Sequence, residues 1–171
     1  MMATHLKAKL ETLHKDSFAW AVHCCYKDSL MAAEVLQQSY LKILEGKARF
    51  NNKSTFKTWL FAIIRYTAID YYKQTQKPKI VSIDHQELPV SPSKEEIPSV
   101  IFQQGLSQLS TNQHRILHLV FYQNLTIQEA ATVMEIQLGT ARTHYKRGKL
   151  RLKKWLIEAG FSINGKFIIP F

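Results

Sequence analysis

Cysteine is almost absent from this chain: two residues in 171, adjacent at Cys24 and Cys25. An adjacent pair cannot form a disulfide framework, so the two thiols read as buried and inert and fit a reducing, cytoplasmic setting. Glycine is scarce, at 6 residues, and no glycine-rich phosphate loop is present. Apolar runs are short. The longest, Trp59–Ile64, falls far below the ~18 residues that a membrane helix needs. The opening residues, MMATHLKAKLETLHKDSF, carry charges throughout, which argues against a secretory leader. Acidic residues are the minority, 13 against 23 Lys and Arg, for a formal charge of +10. That excess points first to nucleic acid as a partner and second to a membrane surface. With 46% hydrophobic and 21% charged residues, the composition is that of a globular chain.

Proline marks the organisation. Residues 1–77 contain none, and only one glycine, Gly46; four of the five prolines crowd into PKIVSIDHQELPVSPSKEEIP; residues 101–157 again contain none. The expectation is an all-α chain of two small helical domains, 1–77 and 101–157, joined by a linker over 78–100 and followed by a tail over 158–171. The first domain reads as three or four helices. Leu6, Leu10, Leu13 and Phe18 stand near helical spacing, and Val35, Leu36, Tyr40, Leu41, Ile43 and Leu44 form a stripe that ends at Gly46, a C-cap. FKTWLFAIIRYTAIDYY, from Phe56, is apolar around most of a helix, so it is buried on several sides or offers aromatics to a partner.

In the second domain Ser110-Thr-Asn-Gln113 and Thr126-Ile-Gln-Glu129 are capping boxes that predict helix starts near 111 and 127. The helix from 127 carries Ile127, Ala130, Ala131 and Met134 on one face and ends near Glu135. Ile136–Gly139 reads as a short connection, and a third helix follows from about Thr140, with Ala141, Tyr145, Gly148, Leu152 and Trp155 inward. Residues 140–155 hold seven Lys or Arg and no Asp or Glu. A short helix with a small-residue crossing point, a tight turn and a basic second helix are the parts of a helix-turn-helix, whose second helix enters the major groove. The outward residues of that helix are Arg142, Thr143, Lys146 and Arg147, with His144 and Lys149 beside them. Lys153 and Lys154 lie further along and suit phosphates.

The stretch Leu125-Thr-Ile-Gln-Glu129-Ala-Ala131 followed by Gly139-Thr140-Ala141-Arg142-Thr143-His144-Tyr145-Lys146-Arg147-Gly148 resembles region 4 of the extracytoplasmic-function (ECF) sigma factors. Independently, Glu34-Val-Leu-Gln37-Gln38-Ser-Tyr40-Leu41-Lys42 and Ser54-Thr-Phe56-Lys-Thr-Trp59, continuing to Ala68-Ile69-Asp70-Tyr71, resemble region 2. The resemblance implies a factor that directs bacterial RNA polymerase to promoters. Region 2 would bind the β′ clamp and open the −10 element; region 4 would read the −35 element and rest on the β-flap. It carries polymerase binding onto Glu34, Gln37, Gln38, Tyr40 and Leu41. It carries −10 capture onto Phe50, Asn51, Asn52, Lys53 and Ser54, with Lys57, Arg65 and Tyr66, where aromatic rings stack on unpaired bases and cations meet the backbone. Tyr66 stands where the family pattern has Asn, and Gln38 where it has an acid. An anti-sigma factor is a further expected partner.

Other constellations carry less. His114 and His118, at i and i+4, have the spacing of a zinc pair but lack a third ligand, so neither metal nor cofactor is expected. No nucleophile–base pair is visible, so no catalysis is expected. Phe56, Trp59 and Ile63 read as core rather than as DNA contacts. The apolar tail GFSINGKFIIPF suits packing on the second domain or contact with a regulator. Two rivals stay open: a helix-turn-helix regulator that does not bind core polymerase, and a site-specific recombinase. The recombinase needs several arginines around its nucleophile, and residues 1–77 hold only Arg49 and Arg65.

Overall fold

A computed structural model describes residues 2–75 and 99–160. The proline-rich stretch expected as a linker, except its last two residues, and the tail from Phe161 lie outside the described residues. The described chain is α-helical and falls into two compact units, one built on the first four helices and counting Thr132–Glu135 with them, the other on the remaining residues from Ser99 onward.

The first unit comprises α1 (Met2–Thr12), α2 (His14–Cys24), α3 (Ser29–Leu44) and α4 (Phe56–Thr75). The Leu6–Phe18 periodicity therefore spans two helices, broken at Leu13. Trp20 is the centre of this unit. It is fully buried, its ring stacks on Phe61 at 6.0 Å, and its indole Nε1–H donates to the Phe61 carbonyl at 3.0 Å. A tryptophan fits a core best when its one polar atom finds such an acceptor. Val35, Leu36, Ile43, Leu60 and Ile64 are buried in the same unit, each contributing about 1.5–3 kcal/mol by leaving water.

Asp28 caps α3, accepting from the Met31 N–H at 2.9 Å. The helix ends at Leu44, and Gly46, at φ +73°, takes the left-handed position just beyond, as a C-terminal glycine should. Leu41 and Leu44, which belong to the apolar stripe of α3, are 47% and 52% exposed. Ala32, Val35, Leu36, Ser39 and Ile43 supply the inward face.

The second unit holds α5 (Ser99–Ser107), α6 (Thr111–Leu117), the first part of α7 (Ile127–Met134) and α8 (Leu138–Glu158). Helix α5 thus opens inside the last two residues of the expected linker. Both capping boxes form. Ser110 accepts from the Gln113 N–H while Gln113 Oε1 accepts from the Ser110 N–H; Thr126 and Glu129 do the same. Helix α6 runs on into a π-helical turn, His118–Tyr122. Phe102, Leu106, Leu109, Leu117, Leu152 and Leu156 form the core, flanked by Ile101, Phe121, Tyr145 and Trp155.

Two glycines let helices approach closely. A Cβ on Gly105 would sit 2.7 Å from Leu152 Cδ1, and a Cβ on Gly148 would sit 3.2 Å from Leu117 Cδ1 and 3.3 Å from Gln113 Cβ. Helix α8 is therefore held against α5 and α6 without room for a methyl group.

Candidate nucleic-acid interface

The turn between α7 and α8 sets the geometry of the second unit's basic face. Ala130 and Ala131 are buried on α7. Glu135 adopts φ +53°, and the Ile136 N–H returns to the Ala131 carbonyl at 3.1 Å, ending α7. Gln137, with extended dihedrals, is the N-cap of α8. The connection is thus Glu135–Gln137. Leu138 and Gly139, expected in the turn, form the first residues of α8, two positions ahead of the expected start. A glycine is tolerated there because first-turn N–H groups have no intrahelical acceptor to lose.

Ala141, Gly148, Leu152 and Leu156 are the buried seam of α8, and Tyr145 and Trp155 are half-buried beside it. Arg142, Thr143, Lys146 and Arg147 are exposed, as the spacing predicts. The Thr143 hydroxyl donates to the Gly139 carbonyl at 2.9 Å, leaving its oxygen lone pairs and methyl outward. His144 is half-buried. Lys149 is drawn inward. Its ammonium lies 5.2 Å from the Tyr145 ring centroid and 5.9 Å from that of Phe121, two rings that stack at 5.7 Å. This cation–π arrangement fixes the Lys149 charge at the flank of the helix.

In the first unit the loop between α3 and α4 presents a small aromatic cluster. Phe50, Phe56 and Trp59 meet with centroids 5.3–5.5 Å apart, all half-buried. Asn51, Asn52 and Lys53 are exposed and Ser54 is half-buried. The Asn51 side chain accepts from the Lys53 N–H at 3.2 Å, and Asn52 takes φ +58°, so the loop is a tight Asx-type turn.

Lys57, at the start of α4, is half-buried. Its ammonium pairs with Asp16 at 2.7 Å and lies 5.4 Å from the Phe61 ring centroid; it joins α4 to α2 and is compensated there. On α4, Arg65 is half-buried and Tyr66 exposed.

Helix α3 carries the remaining candidates. Glu34, Gln37 and Leu41 are exposed, and Gln38 donates its amide to Glu34 at 2.8 Å. Tyr40 is half-buried with its hydroxyl 3.4 Å from His14 Nδ1. Burial raises its pKa, and a hydrogen bond with Ser17 opposes that rise. Leu30, 86% exposed, and Leu44 extend the same strip. The sequence reading missed Leu30 as a surface residue. Leucines at 30, 41 and 44 on a helix whose inward face is already supplied were the available signal.

The remaining sequence features lie inside the units. Cys24 and Cys25 are both buried, and no disulfide joins them. His118 is half-buried, stacks on Tyr122 at 5.3 Å and lies 3.3 Å from the Gln123 amide. Burial, with help from nearby His114, lowers its pKa to about 3. Among the described residues no three His, Cys, Asp or Glu side chains gather as a metal site, and no helix is long and apolar enough to cross a membrane.

Comparison with known proteins matches residues 10–77 to the family model "Sigma-70 region 2" and residues 105–154 to "Sigma-70, region 4". The ECF RNA polymerase sigma factor SigX of Bacillus subtilis (strain 168) is 27% identical over 157 residues, covering 84% of this chain and 79% of SigX. The RNA polymerase sigma factor YlaC of the same organism is 28% identical over 131 residues, 72% of this chain and 76% of YlaC. Two solved structures share the fold. The sigma factor RpoE from Bartonella quintana, crystallised with the anti-sigma factor NepR, has a TM-score of 0.65 at 21% identity, covering 90% of this chain and 97% of that one. CnrH, in complex with the cytosolic domain of CnrY, has a TM-score of 0.60 at 16% identity, covering 90% and 88%.

Proposed function

This chain belongs to the sigma-70 family as an ECF sigma factor, and we propose that its first unit docks on core polymerase and captures the unpaired −10 strand while its second reads the −35 element. The bond-making chemistry of transcription belongs to the polymerase; a sigma factor supplies address and melting. The observation that carries the assignment of faces is on α8. Arg142, Thr143, Lys146 and Arg147 stand exposed opposite a seam of Ala141, Gly148 and Leu152, so the helix can be gripped from behind and read from in front.

The −10 face centres on Phe50 with Asn51, Asn52, Lys53 and Ser54. Its rings offer stacking surface and its loop amides offer hydrogen-bonding edges to a base that has left the duplex. Tyr66 presents a ring and one hydroxyl where the family pattern has Asn, which suits stacking better than paired donor–acceptor reading. Lys57 supports α4 through Asp16, and Lys53 is the cation of this face that meets phosphate. On α3 the strip of Leu30, Glu34, Gln37, Leu41 and Leu44 is the docking face for the β′ clamp; the β-flap is the partner of the second unit. We place the functional regions at 1–77 and 101–157 and the working location in the cytoplasm. RpoE is crystallised with an anti-sigma factor, and an anti-sigma protein covering the α3 strip or the α8 face is the matching regulator here.

Run-off transcription with purified core polymerase tests the reading. The chain should confer initiation at a discrete start site on a promoter selected from genomic fragments. A helix-turn-helix regulator or a recombinase would give none.

A further inference from the structure

A groove of about 280 Å³ runs between α1 and the start of α4. His5, Ala8, Lys9 and Thr12 form one strip of α1, at i, i+3, i+4 and i+7, and Leu13 and Phe56 complete the walls. The strip is exposed beside the buried Leu10 face. Ala8 opens the middle, and the Lys9 ammonium hangs over the Phe56 ring, 5.4 Å from its centroid. The same ring packs edge-on against Phe50 and tilts against Trp59, so the groove is continuous with the aromatic cluster proposed to hold an unpaired base.

We propose that this groove is a second stop for the unpaired strand, taking the nucleotide that adjoins the one held by the Phe50–Ser54 loop. Lys9 and His5 face its phosphate, and Phe56, Leu13 and Ala8 cover its sugar and base. The inference rests on the −10 reading of that loop. Three observations select a nucleotide as occupant: cationic and imidazole side chains at the rim, an aromatic wall shared with the loop, and a volume too small for a helix but suited to one flat ring and its sugar.

The test uses holoenzyme on a fork-junction fragment of a promoter that it transcribes, with one 4-thiothymidine moved along the unpaired strand. After irradiation, one position should crosslink to the 50–54 loop and its neighbour to the α1 peptide around Lys9. Ala8→Leu, which fills the groove, and Lys9→Gln, which removes its cation, should each weaken fork binding by about 2- to 5-fold, leaving core binding and duplex −35 binding intact. Crosslinks at the loop with none at α1, and parent-like fork affinity for Ala8→Leu, would overturn the groove alone. Crosslinks at neither place would overturn the loop reading and the groove together. Loss of core binding by Ala8→Leu without DNA would assign the groove to polymerase and overturn the nucleotide.

Discussion

Arg142 and Lys153 allow a controlled comparison on one helix. Both are exposed on α8. They are eleven residues apart, which at 100° per residue places them within about 20° on the same meridian, and at 1.5 Å per residue separates them by about 16 Å. The major groove is only ~12 Å wide. With the N-terminal end of α8 in the groove, Arg142 reaches base edges while Lys153 has passed over the phosphate wall. Removing Arg142 should therefore cost about 1–3 kcal/mol at the base pair it reads, a loss of about 5- to 150-fold at the preferred site and almost none where that base is already wrong. Lys153→Ala should weaken every sequence equally and reduce the slope of log affinity against log salt by about one. The assay is fluorescence anisotropy on duplexes with single substitutions across the −35 element, each at several salt concentrations. If Arg142→Ala weakened all duplexes by one common factor, the face of α8 assigned to reading would be wrong.

Other outcomes follow from the remaining faces. Gln37→Ala with Leu41→Ala should weaken core polymerase in a pull-down while the circular dichroism spectrum and melting stay unchanged, because both side chains lie outside the packed face of α3. Phe50→Ala should reduce open-complex formation, followed by permanganate footprinting, more than closed-complex binding, since stacking worth about 1–3 kcal/mol is gained only after unpairing; equal loss at both stages would make Phe50 a structural ring. His118 has a folded pKa of about 3 against an ordinary value of 6.5, so between those values the unfolded chain holds the extra proton. The stability from keeping it neutral is complete above pH 6.5 and is lost toward pH 3, by at most about 1.4 kcal/mol per pH unit. Denaturant melts of His118→Gln should show a shallower fall over that window.

The boundaries legible in the sequence were those with a chemical marker. The two Ser/Thr-x-x-Glu/Gln boxes placed α6 and α7 to the residue because each box forms both of its hydrogen bonds. Gly46 marked the end of α3 because the chain needs a positive φ there. Where a marker admitted two meanings the reading slipped. Gly139 suggested a turn, yet it lies in the first turn of α8, with open space where a Cβ would stand. The break at Leu13 carries no glycine or proline, and the π-helical turn at His118–Tyr122 has no local pattern of its own. Among site residues, exposure along α8 followed from its period alone. The fate of Lys57 did not, because its partner Asp16 is 41 residues away, and one-dimensional spacing cannot report a cross-helix ion pair. Leu44 was legible as apolar but not as outward, since hydrophobicity alone does not say which molecule supplies the burial; Leu41 was placed toward a partner only by the resemblance, not by its spacing.

The tight seat at Gly148 bears on how such a factor changes its preferences over time. Helix α8 is a single rod of 21 residues, clasped against α6 near its midpoint at Gly148. Arg142 sits six residues away, about 9 Å along the axis. Any enlargement at 148, 117 or 113 that levers the rod by a few degrees displaces the reading end by a fraction of an ångström, enough to lengthen a bidentate hydrogen bond past usefulness. If this end of α8 reads promoter DNA as proposed, substitutions at 148, 117 or 113, behind the helix, should shift promoter preference while every reading side chain stays the same.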